Sequence, residues 1–131
     1  MDQDVLSIST EPDGDVTVIR LGGELDNMNV SDLSSAFFLL LDNGHRLFVL
    51  DLSDLEFIDS AGLGGLVALW ERAIEKGCLV ALGQVSPRVQ DVLQITGLSC
   101  VLQPHATTDE ALAAVREMVK AFPTREKRPQ A

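Results

Sequence analysis

The chain has no tyrosine, one tryptophan (Trp70), two histidines and two cysteines, and its ten Lys and Arg residues are outnumbered by twenty Asp and Glu. Each shortage closes a class of function. Nucleic acid and anionic membrane surfaces are recognised by clustered cations that neutralise phosphates, so a net charge of -10 and a pI near 4.4 argue against both. Cys78 and Cys100 lie beside apolar runs and form no C-x-x-C or Cys/His spacing. They are expected to be buried thiols rather than a redox pair or zinc ligands. No apolar run approaches a membrane span, and Met1-Asp2-Gln3-Asp4 carries neither basic flank nor apolar signal core. A cytoplasmic protein is therefore expected, with neither membrane nor nucleic acid among its partners.

What the chain does have suits one globular domain. Its 131 residues are 46% hydrophobic and 23% charged, enough to bury a core without disulfides or a structural metal. Val5 to Thr10 and Val16 to Leu21 alternate apolar and polar around Pro12-Asp13-Gly14, which predicts an antiparallel hairpin. Gly22 to Asp26 then breaks the pattern. Asn29 and Asp32 have capping spacing before the stripe Val30, Leu33, Phe37, Leu40 and Leu41, predicting a helix over 30–42 that ends at Asn43-Gly44.

The apolar runs Leu47–Leu50 and Cys78–Leu82 are expected as central buried strands. Between them, the pattern predicts an acidic loop over 51–59, Ser60 capping a helix, a glycine turn, and an apolar helical face of Leu63, Leu66, Val67, Trp70, Ala73 and Ile74 closed by Gly77. Ser86-Pro87 opens a third helix lined by Val89, Val92, Leu93 and Thr96, with Gly97 as its stop and Leu98 folding back. Ser99–Leu102 is expected as a last short strand. Thr107 and Glu110 then cap a fourth helix carrying Ala111, Leu112, Val115, Met118, Val119 and Phe122. The expected architecture is a single α/β domain over 1–122, with a mixed, mostly parallel sheet opened by an N-terminal β-hairpin and about four helices. The basic segment 123–131 has too few apolar residues to pack and is expected to be disordered.

The chemistry-bearing residues concentrate at Asp59-Ser60-Ala61-Gly62-Leu63-Gly64. A serine hydrolase would place its nucleophile on such a strand-to-helix turn, but the elbow motif needs glycine two residues earlier, where Ile58 stands. The only candidate bases, His45 and His105, fall in loops. A phosphate loop needs Lys-Ser/Thr after its last glycine, and Leu66-Val67 follows Gly65 instead. Asp51, Asp54, Glu56 and Asp59 lack calcium-loop spacing and are expected to form a solvated acidic face, so neither metal nor cofactor is called for. The glycines allow either a tight turn or the close approach of a partner backbone.

Gly23-Glu24-Leu25-Asp26, Asp51-Leu52-Ser53 and Phe57-Ile58-Asp59-Ser60-Ala61-Gly62-Leu63-Gly64 resemble the motifs of the STAS domain, specifically of bacterial anti-sigma factor antagonists. The likeness continues through Val85 to Val89, Leu93 to Leu98 and Asp109 to Leu112, nearly the whole domain. It implies a non-enzymatic switch. The unphosphorylated antagonist binds an anti-sigma factor that is also a serine kinase and so frees a sigma factor; phosphorylation ejects it and a serine phosphatase resets it. By position, Ser60 would carry the phosphate, and Asp26, Asp59, Ala61, Gly62, Leu63 and Gly64 would contact the partner. The resemblance also admits a STAS scaffold subunit of a stress-signalling or transport-associated complex, and leaves a weak homodimer open.

Overall fold

A computed structural model describes residues 5–100 and 102–121, without the side chain of Cys100. Strand β1 (Leu6–Asp13) turns antiparallel into β2 (Val16–Leu25) through the two-residue loop Gly14-Asp15. Gly14 has φ +60°, as a two-residue hairpin loop with glycine first requires. Pro12 lies in β1 rather than in the turn, which is tolerated because β1 is an edge strand.

Helix α1 (Val30–Asp42), β3 (Leu47–Ile58), α2 (Ser60–Glu75), β4 (Leu79–Val85), α3 (Pro87–Thr96), a 3-10 turn (Leu98–Cys100) and α4 (Thr108–Ala121) follow in order. The sheet order is β1-β2-β3-β4, with β2, β3 and β4 mutually parallel.

Alternation along the inner strands divides the core in two. Val16, Val18, Leu47 and Val49 point to one face, where α4 covers them with Ala111, Leu112 and Val115. Ile19, Leu21, Leu25, Phe48, Leu50, Leu52, Leu55 and Ile58 point to the other, under α1, α2 and α3. Phe37 of α1 meets Phe48 with ring centroids 4.9 Å apart and planes tilted by 54°, an arrangement that aromatic quadrupoles favour.

Several expectations give way. Residues 51–58 are not a loop, because Leu52, Leu55 and Ile58 continue into the core and carry β3 to Ile58. Likewise β2 runs through Gly22-Gly23 to Leu25, with register shifts on either side of that pair. Asp51 does not join a solvated acidic face. It is buried, accepts from the Ser53 N–H (3.0 Å) and hydroxyl (2.8 Å), and meets Arg20 Nε at 3.2 Å. Burial pushes the Asp51 carboxyl up, but hydrogen bonds from Ser53, Thr108 and Arg20 outweigh that and hold it below its ordinary value.

Strand β4 is an edge strand rather than a central one, and Leu98–Cys100 form a 3-10 turn where a strand over 99–102 was expected to begin; among the described residues the outer edge of β4 gains a bridge from Leu82 to Pro104. Cys78 is buried, as expected. Phe122 and the basic segment 123–131 fall outside the described residues, so their expected roles do too.

Candidate functional site

The parallel strands β2 and β3 end side by side, with Leu25 paired to Ile58. The loops leaving them therefore meet at one edge of the sheet, where ligands and partners of open parallel sheets are commonly received. The β2–α1 loop carries Asp26, and the β3–α2 junction carries Asp59 and Ser60.

Helix α2 begins at Ser60, and its N-cap is Asp59: the Asp59 carboxylate Oδ1 accepts from the Gly62 N–H at 2.8 Å. This corrects the expectation that Ser60 caps the helix. Asp59 takes that role because its backbone is extended (φ -99°, ψ -176°) and its amide is tied to the Leu25 carbonyl at 3.2 Å. Ser60 becomes the first helical residue. Its side chain is exposed, and its hydroxyl has no hydrogen bond to any described residue.

The glycines lie inside α2 rather than in a turn before it. A Cβ at Gly62 would run into the Leu25 carbonyl, lying 2.9 Å from its carbon, and a Cβ at Gly65 would run into Val30 Cγ2. Two glycines thus admit β2 and α1 of the same chain, seating the start of α2 tightly against both. Gly64 alone of the three faces open space. Gly62 and Leu63 are buried, Ala61 is half-buried and Gly64 is exposed, so Ser60 and Gly64 form the accessible part of this motif.

Asp26 sits in a loop held by a buried residue that the sequence reading treated only as a cap. Asn29 forms no side-chain cap on α1. Instead its Oδ1 accepts from the Asp26 N–H and its Nδ2 donates to the Glu24 carbonyl, both at 2.9 Å. The Asp26 carboxylate accepts from the Met28 N–H at 3.0 Å, and its carbonyl accepts from Val30 N–H at 2.9 Å. That tight turn forces Met28 outward, 84% exposed, beside Asp26. An asparagine three residues after Asp26 was the only signal in the sequence for this clamp.

The structure does not bring a base to Ser60. His45 Nδ1 lies 2.7 Å from Thr17 Oγ1, just before β3 begins, whereas Ser60 follows its end. Twelve strand residues separate those ends, on the order of 40 Å. The His105 amide donates to Leu82, which pairs with Leu50, eight residues before Ile58. Among the described residues no group of three His, Cys, Asp or Glu could hold a metal ion, and no helix is long and apolar enough to cross a membrane.

Comparison with known proteins agrees with this fold. The family described as STAS domain matches residues 7–111. An anti-sigma F factor antagonist of Paenibacillus polymyxa is 33% identical over 112 residues, covering 82% of this chain and 92% of the relative. The anti-sigma-F factor antagonist RsfB of Mycobacterium tuberculosis is 30% identical over 115 residues, covering 86% and 92%. Among solved structures, an anti-sigma factor antagonist from Mycobacterium paratuberculosis superposes with a TM-score of 0.77 at 29% identity, covering 86% of this chain and 96% of that one. The Bacillus cell fate determinant SpoIIAA in its phosphorylated form superposes with a TM-score of 0.64 at 25% identity, covering 83% and 99%.

Proposed function

The chain belongs to the STAS domain family, and from that premise we propose that it is an anti-sigma factor antagonist switched by phosphorylation of Ser60. In its free form it binds an anti-sigma factor that is also a serine kinase, and a sigma factor is released. The kinase then phosphorylates Ser60 and the antagonist leaves, until a serine phosphatase restores it. The relatives named as anti-sigma factor antagonists and the phosphorylated form of SpoIIAA support this reading.

The observation that carries it is the Ser60 hydroxyl, exposed and without a hydrogen bond to any described residue at the first position of α2. A kinase needs such a hydroxyl, and a phosphate placed there meets the positive end of the helix. Phosphorylation adds about 1.5 to 2 negative charges beside Asp59 and across from Asp26, which repels a partner seated on the same surface without requiring the domain to rearrange. Ser60, Gly64, Asp26 and Asp59 would contact the partner at the accessible edge. Ala61, Gly62 and Leu63 would support that edge from behind.

The test begins with phosphopeptide mapping after incubation with ATP and lysate of the native bacterium. Phosphate is expected on Ser60 and absent in Ser60→Ala, which keeps its fold and its partner. Ser60→Asp is expected to weaken binding to the purified kinase at least tenfold, about 1.4 kcal/mol. If Ser60→Asp bound as tightly as the wild type, the charge mechanism would be wrong. An unmodified Ser60 in a lysate that phosphorylates other proteins would favour a scaffold role.

A further inference from the structure

The surface around Ser60 has an apolar feature for which its carboxylates and its hydroxyl give no account. Methionine is ordinarily withdrawn from water, yet Met28 is 84% exposed in the β2–α1 loop. Slackness of the loop is not the cause. The buried Asn29 accepts from the Asp26 N–H and donates to the Glu24 carbonyl, and the Asp26 carboxylate accepts from the Met28 N–H itself. The Asp26 carbonyl accepts in turn from the Asn29 and Val30 N–H groups, at 3.2 and 2.9 Å. These bonds fix the backbone on both sides of Met28, so its side chain is held outward by the loop.

The fold sets this side chain beside Ser60. Leu25, just before the loop, lies against Gly62, and Val30, just after it, lies against Gly65. Both ends of the loop therefore rest on the first two turns of α2, and Met28 projects from the same edge of the sheet as Ser60. Phe57 extends the apolar surface there: it is 44% exposed near the end of β3 and pairs with Glu24, whose carbonyl Asn29 holds. A single apolar side chain in water is ordinary. One set rigidly at an edge that a partner covers is suited to anchor that partner, because little of its backbone freedom is left to lose on binding. Methionine is also enriched in interfaces, where its unbranched thioether adapts to the cavity it enters.

We infer that Met28 is an anchor by which the anti-sigma factor kinase holds this chain, its side chain entering an apolar socket on the kinase beside the place that receives Ser60. The inference rests on the switch proposed above and names a recognition element for it. Contacts made by Met28 are the same before and after phosphorylation. Met28 therefore sets how tightly the kinase is held, and the charge on Ser60 sets when it lets go.

The test follows the rate of Ser60 phosphorylation against the concentration of the full chain, with radiolabelled ATP and a fraction of the native lysate that carries the Ser60 kinase activity. Met28→Ser should raise KM at least tenfold and leave kcat within twofold, as the loss of binding common to ground and transition states does. Met28→Leu, apolar and of similar volume, should return KM to within threefold of the wild type. Both variants should melt at the wild-type temperature, because the side chain is exposed. Leu39→Ser is the control: Leu39 is 62% exposed but lies nine residues beyond Val30 along α1, on the order of 14 Å from the edge, and its loss should leave KM unchanged. If Met28→Ser kept the wild-type KM, if its loss fell on kcat instead, or if Leu39→Ser cost as much, the anchor would be refuted while the switch stood. Absence of phosphate from Ser60 of the wild type would overturn the switch, and the anchor with it.

Discussion

Gly62 and Gly64 sit two residues apart in the same helix and should respond oppositely to the same substitution. In an isolated helix both Gly→Ala changes are favourable by about 1 kcal/mol, because alanine loses less backbone entropy on folding. At Gly64 a Cβ meets nothing within 4 Å, so Gly64→Ala should realise about 0.5–1 kcal/mol of that gain. At Gly62 the Cβ would press into the backbone of Leu25, its carbonyl carbon 2.9 Å away, and that backbone is held by its pairing with Ile58 on β3 and by the Asp59 N–H donated to the same carbonyl, so it cannot easily step aside. Overpacking of this kind costs about 1–3 kcal/mol. With rigid backbone as the neighbour, the upper end applies, and subtracting the helix gain leaves a net loss of about 2 kcal/mol. The two variants should therefore differ by about 2.5–3 kcal/mol, on the order of 10 °C in melting temperature for a domain this size. Far-UV circular dichroism during thermal and urea unfolding measures it. If both variants moved stability the same way, or Gly62→Ala were neutral, the seating of α2 on Leu25 would not be what requires glycine there.

Two further predictions concern groups on β2, β3 and their loops. Asn29→Ala removes a bond to the Asp26 amide and one to the Glu24 carbonyl, so urea unfolding should show a loss of about 1–3 kcal/mol; Asn29→Asp, which keeps the acceptor, should lose less. Asp51 has a folded-state pKa below its ordinary 3.8, so its contribution is present above that value and is lost as pH falls through the lower folded value. Asp51→Asn should therefore be less stable than wild type at pH 7, and the gap between their urea midpoints should close below about pH 4. A gap that widened on acidification would contradict the hydrogen bonds assigned to that carboxylate.

Much of the fold could be read from apolar spacing alone. The stripe of α1 and the Ser86-Pro87 start and Gly97 stop of α3 are observed where local signals put them, since each is set within a few residues of chain. The misread parts depend on distant neighbours. Asp51 looked solvated because its partner Arg20 is 31 residues away on the adjacent strand. β3 looked short because its acidic residues interrupt the apolar run, while the register with β2 lets Leu55 and Ile58 still reach the core. The glycines of α2 looked like a turn because only the position of Leu25 and Val30 in space makes them spacers. The site followed the same division: Ser60 stood out by its motif, whereas Asn29 and the outward Met28 required the loop to be closed.

The exchange of roles between Asp59 and Ser60 bears directly on how a switch can be placed at a helix start. Had Ser60 capped α2, its hydroxyl would be tied to a backbone amide, and a kinase would have to break a cap of about 1 kcal/mol to reach it. Its modification would then alter the helix end itself. With Asp59 holding the Gly62 amide, the cap survives whatever is attached to the next residue. Gly62 strengthens the separation, because its missing side chain lets the capped turn rest on the Leu25 carbonyl, the group that also accepts from the Asp59 amide. The helix start is thus fixed by its neighbours on β2 while Ser60 faces outward, and charge can be added at the surface with the scaffold beneath it unchanged.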